Sequence, residues 1–100
     1  MITAIVRFPL PHGMSPDDVK AAYEHSAPQF REAAGLIRKY YLLGQDQTGG
    51  GVYLWESREA AETMYSDIWR QRIAERFGTA PTIEYFDTPL IIDNATAVVA

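Results

Sequence analysis

LIRKYYLLGQDQTGGGVYLWES, residues Leu36 to Ser57, decides how this chain folds. Leu36 to Leu43 is a run of apolar and aromatic residues of strand character, GQDQTGG supplies turn chemistry, and GVYLWE is a second strand-forming run. Two such runs joined by a short glycine-rich loop form a hairpin. The three glycines Gly49 to Gly51 raise the question of a phosphate loop. Such a loop runs from strand through glycines to a helix N-terminus, whose free N–H groups face the anion. Here the glycines enter a strand, and neither GK[ST] nor GxGxxG follows. They are read as the end of a hairpin turn with positive-φ positions.

Working outward, Ile2 to Phe8 is a strand ended by Pro9 and Pro11. Ser15 precedes Pro16, Asp17 and Asp18, which predicts an N-cap, a proline in the first turn and acids where the helix dipole favours them. That helix places Val19, Tyr23, Ser26 and Phe30 near one face. Pro28, with Ser26 and Gln29 at capping-box spacing, predicts a kink or restart. Gly35 ends the segment. After the hairpin, Ser57 caps a helix over REAAETMYSDIWRQRIAERF, whose stripe is Ala61, Met64, Tyr65, Ile68 and Trp69, with Arg72 one turn on. Gly78 stops it. TIEYFDTPLII is the last strand, extending beyond Pro89, and NATAVVA has no clear period.

The order β-α-β-β-α-β is the ferredoxin-like α+β pattern, a four-stranded antiparallel sheet with two helices on one face. One domain over residues 1–93 is expected, with a C-terminal tail over 94–100. Alternation puts Leu36, Arg38, Tyr40 and Leu42 on one face and Ile37, Lys39, Tyr41 and Leu43 on the other. Val52 and Leu54 likewise oppose Tyr53 and Trp55. Both faces are therefore largely apolar, and two helices cover only one. A second copy on the other face gives a homodimer whose sheets close into a barrel.

Composition narrows the function classes. One hundred residues make one domain. A formal net charge of −4 argues against nucleic acid, whose binding relies on Lys and Arg neutralising phosphates. Zero cysteines remove disulfides, thiolate metal sites and cysteine nucleophiles. No apolar run approaches the ~20 residues that span a bilayer. The opening MITAIVRFPLP lacks a signal-peptide pattern, so a cytoplasmic location and no membrane partner are expected.

Two histidines are present, His12 in the first loop and His25 on the first helix. No HxxxH or HxxE pair occurs, so no metal site is expected. His25 is a candidate base, since histidine titrates nearest neutrality, against the simpler reading of a helix histidine with no task. Tyr23, Tyr40, Tyr41, Tyr53, Trp55, Tyr65, Trp69, Tyr85 and Phe86 fall in predicted elements, and Tyr23, Tyr40, Tyr53, Trp55, Tyr65 and Trp69 are the candidate pocket residues. Aromatic stripes of this kind are mostly core, yet rings with a few polar tips are also the usual lining of a small-molecule pocket. Arg38 and Lys39 are adjacent in one strand, so one points to each face. The cation that is buried either pairs with a carboxylate or binds an anionic or enolate oxygen.

GLIRKYYL, GGGVYLWESREAAETMY and IEYFDTPLIIDN resemble the YdhR-like monooxygenase family, within the dimeric α+β-barrel superfamily that includes antibiotic-biosynthesis monooxygenases. The likeness runs from about Ala33 to Asn94. Its most specific parts are Gly50, Gly51, Tyr53, Leu54 and Trp55, then Phe86 and Asp87, with Lys39 also fitting. The resemblance implies the ferredoxin-like fold, a homodimer, and oxidation of an electron-rich aromatic or polyketide-like substrate by O2 with no cofactor. His25 or a tyrosine would then assist deprotonation, and Arg38 or Lys39 would stabilise the enolate. Haem degraders of the superfamily use a histidine on the second helix as iron ligand; Met64, Tyr65 and Trp69 stand in that region here. Two alternatives share the scaffold: a non-oxidative isomerase or cyclase, and a small-molecule-binding protein without catalysis.

Overall fold

The computed structural model describes residues 1–95. The elements are β1 (Ile2–Pro9), α1 (Pro16–Arg31), β2 (Leu36–Leu43), β3 (Thr48–Trp55), α2 (Arg58–Met64), α3 (Asp67–Phe77) and β4 (Thr82–Asp87). All strand pairs are antiparallel, in the order β2-β3-β1-β4. This is the ferredoxin-like α+β fold. The helices cover the face that carries Ala4, Val6, Phe8, Tyr53 and Trp55, all buried.

Local chemistry sets the element ends. At the start of α1 the Asp18 N–H donates to Ser15 Oγ at 3.1 Å, and the Ser15 N–H donates to Asp18 Oδ2 at 3.0 Å. This reciprocal capping box satisfies two donors that a helix N-terminus otherwise leaves open. Ser57 caps α2 by accepting from the Ala60 N–H. Gly78 closes α3 in the left-handed conformation, φ +89°.

Five expectations need correction. Pro28 neither ends nor restarts α1, which runs through it to Arg31. Ser26, instead of capping a new helix, donates to the Tyr23 carbonyl and shares a hydrogen bond with Tyr41 Oη. The predicted second helix is two helices. Tyr65 leaves the helical region at φ −83°, ψ 48°, and Ser66 starts α3 by accepting from the Trp69 N–H. The break turns Tyr65 into the core and puts Ile68 outside, 64% exposed, although the uninterrupted stripe placed it inside. In β2, a bulge at Ile37 lets Leu36 face Trp55 while Arg38 faces Leu54, so Leu36 changes sides relative to strict alternation. The three glycines lie inside β3 rather than in the turn, which is made by residues 44–47 with Gln47 at φ +64°. The last strand ends at Asp87, without an extension past Pro89. The expected tail lies outside the described residues beyond Ala95.

The sheet's second face is uncovered. It presents Ile5, Val52 and Leu54 at its centre, flanked by Tyr40, 57% exposed, and Phe86, 46% exposed. Ion pairs Arg7–Glu84 and Arg38–Asp93 sit on the same side. Among the described residues no helix is long and apolar enough to cross a membrane.

Candidate active site

A cavity of about 320 Å³ opens between α1, α3 and the covered face of the sheet. That is at the small end of ligand-site volumes, which run roughly 300–1,000 Å³. Its floor is aromatic: Tyr53 from β3, Tyr41 from β2 and Phe30 from α1. Into this floor β2 sends Lys39, directly opposite Tyr53 in the ladder. The Lys39 Nζ lies 3.3 Å from the Phe30 ring centroid, 3.7 Å from that of Tyr41 and 4.4 Å from that of Tyr53. Among the described residues, no carboxylate lines the cavity.

Two physical effects act on that amine. Burial disfavours the ammonium and pushes Lys39 down from the ordinary lysine value to about 6. The ring faces favour the ammonium and oppose part of the drop. The result is an amine that can be neutral near pH 7, beside a surface that stabilises its charge once it takes a proton.

Two of the tyrosine hydroxyls, those of Tyr23 and Tyr41, are held by hydrogen bonds. Tyr23 Oη donates to the Leu42 carbonyl at 2.8 Å and accepts from the Gly50 N–H at 3.0 Å, and its ring stacks on Tyr41 with centroids 4.6 Å apart. Tyr41 Oη is 2.7 Å from Ser26 Oγ. Burial raises the pKa of Tyr23, Tyr41 and Tyr53 alike, Tyr53 most strongly. Gly49 leaves room for the Tyr23 hydroxyl, because a Cβ there would lie 2.7 Å from Tyr23 Oη.

Of the residues singled out in the sequence, the cavity gathers Tyr23, His25, Lys39, Tyr53 and Trp69. His25 is at its rim and exposed. Arg38 and Tyr40 do not reach it: both project from the uncovered face, and Arg38 donates to Asp93 Oδ2 at 2.8 Å. Trp55 and Tyr65 sit behind it in the core, the indole N–H donating to Tyr65 Oη at 3.1 Å. Phe30, Tyr41, Arg72 and Arg76 also line the cavity and were not named as pocket residues. The spacing itself puts Phe30 on the inner face of α1, Tyr41 on the face of Lys39 and Arg72 on the inward stripe; Arg76, one turn beyond Arg72 on α3, was not singled out.

The family model described as "Putative mono-oxygenase ydhR" matches residues 5–96. The chain belongs to that family. None of the curated proteins matches it. Among solved structures, it is similar to a variant of SnoaB, a cofactor-independent oxygenase from Streptomyces nogalater, at 14% identity and TM-score 0.66, covering 91% of this chain and 95% of that one. It is similar to a monooxygenase from the ActVA-Orf6 gene of Streptomyces coelicolor, in complex with nanaomycin D, at 18% identity and TM-score 0.64, covering 91% and 89%. It is also similar to a variant of MhuD with two manganese protoporphyrin IX bound per active site, at 20% identity and TM-score 0.69, covering 94% and 100%. These likenesses establish the fold. As for haem, α2 and α3 carry no histidine, and Tyr65 Oη between them accepts from the Trp55 indole N–H. Among the described residues, no group of three or more His, Asp or Glu side chains is placed to hold a metal.

Proposed function

We propose that this protein is a cofactor-independent monooxygenase for a small, electron-rich hydroxylated aromatic, with Lys39 as its base. The observation that carries this reading is the Lys39 amine, lowered by burial and surrounded by three ring faces in a ligand-sized cavity. Neutral Lys39 takes the phenolic or enolic proton, and the ammonium formed stays beside the new anion and the rings. The anion transfers electrons to O2, and the two recombine as a peroxide at the ring carbon. The Lys39 ammonium returns its proton to the peroxide, and loss of water turns that ring C–H, the CH2 of the keto tautomer, into C=O. One oxygen atom enters the product, the other leaves as water, and all four electrons come from the substrate. Membership of a monooxygenase family supports this, as does the likeness to an oxygenase that works without a cofactor.

The test is oxygen uptake by the purified protein with anthrone, a naphthol and a quinol, with a chelator present and no flavin added. One O2 consumed per carbonyl formed is expected. No uptake above the spontaneous rate across that panel, with the protein folded, contradicts the reading. Product formed equally well without O2 indicates the proton-moving isomerase or cyclase instead.

The protein acts as a homodimer through the uncovered sheet face, where Ile5, Val52 and Leu54 lie between apolar flanks. Light scattering is expected to give twice the chain mass. Val52→Glu puts an unpaired carboxylate at the centre of that seam in both copies. Weakening of the dimer by at least about a hundredfold is expected, because a buried, unpartnered charge costs several kcal/mol. A monomeric wild-type protein, or a dimer indifferent to the substitution, argues for a different interface.

A further inference from the structure

We infer that the substrate carries a negative group, a carboxylate or a similar oxyanion, held by Arg72 and Arg76 at the cavity mouth while its ring enters the aromatic cage. The inference rests on the oxygenase reading for what happens to the ring, but its observations are separate.

The protein is acidic overall, with 13 Asp and Glu against 9 Lys and Arg. The cavity reverses that balance: Arg72 and Arg76 line it above the Lys39 amine, and among the described residues no Asp or Glu does. Arg72 and Arg76 are four residues apart on α3, so they rise from neighbouring turns of one face. Among the described residues, neither belongs to an ion pair, although three other arginines do. Arg76 Nη2 donates to the Ala22 carbonyl of α1 at 3.4 Å, which draws its guanidinium across the gap between the two helices.

A cationic rim with an apolar interior sorts ligands by shape and charge together. Guanidinium groups bind oxyanions through paired, charge-assisted N–H donors. The arginines are at the solvent edge and the Lys39 amine at the floor, so the guanidinium groups and the base act on opposite ends of one ligand. The acid group stays at the rim, and the hydroxyl that loses its proton is at the floor. A neutral aromatic would satisfy only the cage.

The test compares 1-hydroxy-2-naphthoate with 1-naphthol by quenching of tryptophan fluorescence in the full chain. The acid is expected to bind at least about tenfold more tightly at low salt, with the difference shrinking as salt rises. Arg72→Gln/Arg76→Gln should erase the difference between the two ligands; both side chains are exposed, and continued naphthol binding shows that the variant's cavity is intact. Equal binding of acid and naphthol by the wild type overturns the inference, as does a preference that survives the double substitution. Oxygen uptake separates the two readings. A charge preference without uptake leaves the oxyanion site standing and removes the oxygenase, whereas uptake with no charge preference does the reverse.

Discussion

Lys39→Met is expected to lower oxygen consumption at least about a hundredfold, the usual scale for losing a positioned general base. Lys39→Arg should fail as well, because a guanidinium keeps its proton and cannot accept another. A cation needed only for its charge would tolerate arginine, so the pair of variants separates base from counter-ion. The wild-type rate should rise with pH through about 6, where the amine becomes neutral, and then level off.

Lys39→Met should move stability the opposite way from activity. The folded value of Lys39 is about 6 against an ordinary 10.5. Between those limits the unfolded chain holds a proton that the folded chain lacks, so that proton favours unfolding. Wild-type stability therefore gains from this residue as pH rises from about 6 to 10.5, and below 6 the penalty is complete and constant. Lys39→Met lacks the penalty. Its melting temperature should exceed that of the wild type by several degrees at pH 7, with the gap closing toward pH 10. A functional group held at a cost in stability is the behaviour expected of a site.

Gly50→Ala is the second large effect. A Cβ on Gly50 would lie 1.9 Å from the Val6 carbonyl oxygen, in backbone that holds φ +145°. The obstacle is main chain of the central strand β1, so no side chain can swing away. The substitution is expected to cost about 4 kcal/mol or more, a large part of the ~5–15 kcal/mol that holds a domain folded. Little soluble protein should be recovered, or the melting temperature should fall by more than about 15 °C. Gly13→Ala is the control: φ is +88° and nothing lies within 4 Å, so about 1 kcal/mol of backbone strain is all it should show. Equal melting temperatures for the two variants would refute the close approach of β1 and β3.

Much of the fold was legible because its signals are local. The hairpin follows from two strand-forming runs around GQDQTGG, and the helix starts follow from Ser15 and Ser57, whose oxygens do cap. What was not legible depends on contacts distant in sequence. The three glycines look like a turn in one dimension; Gly50 is in fact required where β3 passes the Val6 carbonyl. The break at Tyr65 was partly visible, since Ser66-Asp67 is a cap followed by an acid. A continuous apolar stripe concealed it, although the same stripe carried Arg72 to the inner side, where it lines the cavity. Arg38 and Lys39 are equivalent in sequence. Only the pairing of Lys39 with Tyr53, whose ring faces the helices, sends one cation into the cavity and leaves the other with Asp93.

The most direct measurement is an NMR titration of Lys39 Nζ in the ligand-free protein, assigned by comparison with Lys39→Met. A midpoint near 6 is the expected result, and it would leave the amine neutral and able to accept a proton at pH 7. A midpoint near the ordinary lysine value of 10.5 would show a permanently charged side chain in an aromatic cage, and Lys39 could not then be the base.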